Sequence, residues 1–103
     1  MLDLHTLLLE AVREGASDLH LTCGAPPIVR VDGSMRPLGQ RPVMSPEEVE
    51  RLCFTILSQE QRERFDEQHE LDLSIGVKGL CRFRVNLFVQ KEAVAGVFRV
   101  IPS

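Results

Sequence analysis

The stretch Leu80–Ile101 constrains the fold more than any other part of the chain. In its first half Cys81, Phe83, Val85, Leu87 and Val89 alternate with Arg82, Arg84, Asn86, Phe88 and Gln90. A period of two means a strand with one apolar face and one mainly polar face. The second half, Ala93–Ile101, is apolar at both parities apart from Arg99, which predicts a central, covered strand. Lys91-Glu92 between them is short enough for an antiparallel hairpin. That hairpin sets Arg82, Arg84 and Arg99 on or beside a sheet, where guanidinium groups are held more firmly than on a loop. Such a set is either a solvated sheet face or an anion-binding surface.

The rest of the chain supplies what such a hairpin has to pack against. Leu4, Leu7, Leu8, Ala11 and Val12 recur at helical spacing, and Gly15 ends that helix. Leu19 and Leu21 alternate with Asp18, His20 and Thr22, giving a short strand with one wet face. After the break at Pro26-Pro27, Ile28–Val31 and Ser34–Leu38 flank an Asp32-Gly33 turn, with Pro37 keeping the second strand at an edge. Ser45-Pro46-Glu47-Glu48 starts a helix with a capping serine and proline at the first position. Ser58 with Gln61 caps another, charged outside and anchored by Phe65. Glu70–Ile75 alternates again, and Gly76–Gly79 turns the chain into the hairpin. The order is α-β-β-β-α-α-β-β-β, an α+β domain with an antiparallel sheet and helices mainly on one face.

At 103 residues the chain is a single domain, residues 1–103. Its net charge of −3 disfavours a general nucleic-acid binder. Cys23, Cys53 and Cys81 lack the spacing of a zinc site or disulfide framework, so no metal is expected; the thiols read as reduced, with Cys53 and Cys81 at core positions. There is no signal peptide and no apolar run near the ~20 residues a membrane-crossing helix needs, so a soluble, cytoplasmic protein is expected. No glycine-rich phosphate loop, Gly-x-Ser-x-Gly or His-Glu-x-x-His motif is present. His5, His20 and His69 stand apart, and His20 reads as a hydrogen-bonded surface residue. Catalysis by this chain alone is not expected. An arginine-bearing sheet can still offset charge on a nucleotide held elsewhere. On pattern alone, Arg82 or Arg84 instead pairs with Asp72 across adjacent strands.

Several segments resemble one family in order. Gly15-Ala16-Ser17-Asp18-Leu19-His20-Leu21, Pro26-Pro27, Arg30-Val31-Asp32-Gly33, Glu70–Ser74, Arg82-Phe83-Arg84-Val85-Asn86 and Val97–Ser103 are similar to the amino-terminal domain of type IV pilus retraction ATPases of the PilT/PilU type. The resemblance implies a PAS-like domain followed in the family by a RecA-like ATPase domain. It further implies a homohexamer in which this domain packs on the RecA-like domains of its own and a neighbouring subunit. ATP and Mg would be bound in the full-length protein, with none held tightly by this domain. Arg82, Arg84 and Arg99, and more weakly Arg30, are the implied phosphate contacts. The implied machine hydrolyses ATP to drive pilus retraction in twitching motility. It works against a pilus platform on the cytoplasmic face of the inner membrane. Because the chain stops at Ser103 it reads as an excised domain, and its start at the first helix favours the retraction branch. The alternatives are the equivalent domain of a type II secretion or pilus extension ATPase, and a free-standing PAS-like ligand-binding or interaction module.

Overall fold

The structure, a computed structural model, describes residues 1–102; Ser103, the last residue of the Val97–Ser103 match, lies outside them. The nine expected elements form in the expected order: α1 Leu4–Arg13, β1 Asp18–Leu21, β2 Ile28–Val31, β3 Ser34–Pro37, α2 Pro46–Phe54, α3 Gln59–Gln68, β4 Glu70–Val77, β5 Cys81–Gln90 and β6 Ala93–Ile101. The strands make one antiparallel sheet in the order β3-β2-β1-β6-β5-β4. The first and last strands therefore lie side by side in its middle. This α+β arrangement is compatible with the PAS-like expectation.

The helices start where the sequence places caps. Asp3 and Ser45 accept from the backbone N–H groups of Thr6 and Glu48. Ser58 and Gln61 form a reciprocal capping box at α3. Each helix turns its apolar stripe to the same sheet face. Leu4, Leu7, Leu8 and Ala11 of α1, Val49, Leu52 and Cys53 of α2, and Phe65 of α3 join Leu19, Leu21, Val29, Leu71, Phe83, Val85, Leu87 and Phe98 in one core. Gly96 permits this packing. A Cβ there would sit 2.9 Å from Cys53 Sγ and 3.0 Å from Leu87 Cδ2, so α2 rests directly on the backbone of β6. Burial pushes the Cys53 thiol up to about 12, as suits an inert core residue.

Two local expectations need correcting. Strand β6 is central, but its other face is covered only in part: Phe98 is fully buried and Ala95 on the opposite face is buried too, whereas Arg99 and Ile101 further along that face are exposed. Gly76 lies inside β4 opposite Arg82, not in the turn, because the ladder between β4 and β5 runs on to Val77 and Cys81. The loop after β3 is anchored: Leu38 and Met44 are buried, and Met44 exchanges backbone hydrogen bonds with Gly24 and Ala25. No helix among the described residues is long and apolar enough to cross a membrane.

Candidate functional site: the open face of the sheet

The face turned away from the helices carries the arginines, and strand register decides which of them meet. Arg30 is opposite Asp18, Asp18 opposite Arg99, Arg99 opposite Arg84, and Arg84 opposite Ser74. One line across β2, β1, β6, β5 and β4 thus reads Arg-Asp-Arg-Arg-Ser. A second line beside it reads Ile28, His20, Val97, Asn86 and Asp72.

The four arginines expected here fall into two pairs. Arg30 donates to the carbonyl of Gly33 in its own turn, 3.3 Å away. Arg82 donates to Ser74 Oγ at 2.8 Å and lies over Gly76, where a Cβ would come within 2.8 Å of its Nη1. Both are engaged locally. Arg84 and Arg99 instead border one open depression of about 360 Å³, together with Asp72, Asn86 and Val97. The cross-strand pairing of an arginine with Asp72 does not form. Asp72 accepts from Asn86 Nδ2 at 2.9 Å, because Asn86 is its partner in register. Among the described residues Arg84 has no ion pair. Two guanidinium groups directly opposite each other repel. An anion between them would relieve that repulsion and could accept from both.

Asp18 and His20 are the residues that alternation alone misjudged. Asp18 is not on a wet edge but 7% exposed, covered by its neighbours on the arginine face. Its Oδ2 lies 3.7 Å from Arg99 Nη2 and 3.6 Å from His20 Nε2. His20 Nε2 is buried and has no hydrogen-bond partner. Burial holds the His20 pKa below its ordinary 6.5; Asp18 works against that shift, while Arg30 and Arg99 add to it. The Asp18 position is flanked in register by arginines from two different strands, and only the long-range pairing of β1 with β6 reveals that. Among the described residues no group of three or more His, Cys, Asp or Glu side chains could hold a metal.

No protein-family profile matches the chain. It is 43% identical, over 99% of its length, to the type IV pilus retraction ATPase PilT of Pseudomonas aeruginosa. A crystal structure of the pilus retraction motor PilT with bound ADP superimposes on the whole chain with a TM-score of 0.93 at 40% identity. The chain is an amino-terminal domain of the PilT family. It is also 36% identical to the type IV pilus ATPase PilU of Pseudomonas aeruginosa over 99% of its length. The Legionella pneumophila ATPase DotB shares the fold over 99% of the chain, with a TM-score of 0.79 at 21% identity. The chain spans 29% of the length of that PilT, 26% of that PilU and 30% of the solved PilT chain. Both Pseudomonas relatives are named as type IV pilus ATPases.

Proposed function

We propose that this domain works in a pilus retraction motor by presenting Arg84 and Arg99 to the phosphates of ATP bound on an adjoining RecA-like domain. The observation that carries this is their placement: opposite each other on the β5–β6 hairpin, with Arg84 free of ion pairs among the described residues and both bordering an open depression. Arg82 and Arg30 are secondary candidates, because each must first leave its hydrogen bond to Ser74 or Gly33. PilT itself is described as a retraction motor and has been solved with bound ADP.

The sequence carries no glycine-rich phosphate loop, and on this reading the RecA-like domain holds the nucleotide and its Mg. That partner supplies phosphoryl-transfer chemistry when ATP is bound. The guanidinium groups here supply positive charge where charge develops, and they do so from a stiff element that loses little freedom on contact. In a homohexamer the domain would pack between RecA-like domains of its own and the neighbouring subunit. Closure of the domains on ATP would then become rigid-body rotation within the ring. The working location is the cytoplasmic face of the inner membrane, against the pilus platform.

The test is ATP turnover by the full-length protein carrying Arg84→Ala, Arg99→Ala, Arg82→Ala or Arg30→Ala. The first two should lose turnover with folding intact, and the last two should lose less. Unchanged turnover for both Arg84→Ala and Arg99→Ala would remove the proposed role.

A further inference from the structure

Among the described residues Asp18 is the one charged or polar residue that is buried, and it is buried on the face that carries the arginines. A desolvated carboxylate is costly unless it is compensated. Its compensation is loose: neither Arg99 at 3.7 Å nor His20 at 3.6 Å is within hydrogen-bond length. Arg30 flanks it in register, but the Arg30 guanidinium donates to Gly33. Arg99 is therefore the cation held mainly by Asp18, and its side chain is 65% exposed. The same guanidinium borders the depression shared with Arg84.

We infer that Asp18 is a built-in counter-ion for Arg99, a resident anion that competes with any phosphate for that guanidinium. In the empty site it offsets the repulsion between Arg99 and Arg84 and keeps Arg99 leaning towards β1. An arriving phosphate offers shorter, charge-assisted hydrogen bonds and draws Arg99 away. Asp18 thus sets how much negative charge the face needs before it responds, which is regulation of the site and not part of its chemistry. The inference rests on phosphate contact by Arg84 and Arg99.

The experiment titrates the 103-residue chain with pyrophosphate and follows the Nε–H signals of Arg84 and Arg99 by NMR. In Asp18→Asn, which keeps the shape and removes the charge, both signals should shift at roughly three- to tenfold lower pyrophosphate than in the wild type. Asp18→Ser repeats the measurement should the amide disturb the sheet. The gain should shrink when Arg99→Gln is already present, as coupling through Arg99 requires. Equal titration of variant and wild type, weaker binding by the variant, no titration in either, or a gain undiminished by Arg99→Gln would overturn the inference. Turnover of full-length Arg99→Ala separates the two ideas. A loss there beside an unaltered Asp18→Asn titration removes the counter-ion and leaves phosphate contact standing. Unchanged turnover for both Arg84→Ala and Arg99→Ala removes phosphate contact itself.

Discussion

The two faces of the sheet are built from the same strands and alternate residue by residue, yet they do opposite things. Phe98, Val85 and Leu19 point into the helices and are fully or almost fully buried. Arg99, Arg84 and Asp18, their immediate neighbours in sequence, lie on the face that no helix covers. The covered face sets stability, since apolar area removed from water is the dominant favourable contribution to folding. The open face gains nothing comparable and even sets two arginines against each other. A small domain can keep such a face because the other one alone holds it together.

That contrast can be broken most severely from the covered side. Phe98→Ala should cost about 3–5 kcal/mol in urea unfolding, whereas Arg84→Ala should stay within about 0.5 kcal/mol of the wild type. Similar losses for the two would mean that the open face also carries stability. Gly96→Val should cost about 1–3 kcal/mol, because the added carbon meets Cys53 and Leu87 beneath α2. A neutral result would show that α2 does not rest on β6 as described.

The ends of the sheet allow a milder test. The turn between β2 and β3 uses Asp32-Gly33 at φ of 49° and 81°, residues suited to the left-handed region. The turn of the long hairpin forces Lys91 and Glu92 to φ of 53° and 63°. Lys91→Asn with Glu92→Gly should raise stability by about 1 kcal/mol, read from the unfolding midpoint. No gain would mean that those side chains are held by contacts that offset the strain.

The smallest effect is a pH dependence from the open face. Folding lowers the His20 pKa, so the unfolded chain takes up the proton more readily. Stability is therefore full above the ordinary value near 6.5 and falls as pH drops towards the lowered one. His20→Gln should flatten that part of the profile. An unchanged slope would assign it to other groups.

Much of this is legible in the sequence. Alternation in Cys81–Val89 separated the two faces, Ser45 and Ser58 marked the helix starts, and Phe65 stood out as the anchor of α3. Alternation tells which face a residue takes but not which residue it meets. Rows across the sheet depend on register, which turn lengths and distant pairings decide. Asp72 meets Asn86 and not an arginine for that reason. The burial of Asp18 depends on β1 pairing with β6, some eighty residues away in the chain, so no local pattern announces it. The local engagement of Arg30 by a turn carbonyl and of Arg82 by Ser74 was equally out of reach, since side-chain direction decides it.

The central claim is that guanidinium groups on the uncovered face act outside their own domain. It is tested most directly by ATP turnover and thermal unfolding of one full-length preparation carrying both Arg84→Ala and Arg99→Ala. Turnover should fall by about a hundredfold or more, with the unfolding midpoint of this domain unmoved. Turnover kept near wild type, or lost only together with the fold, would contradict it.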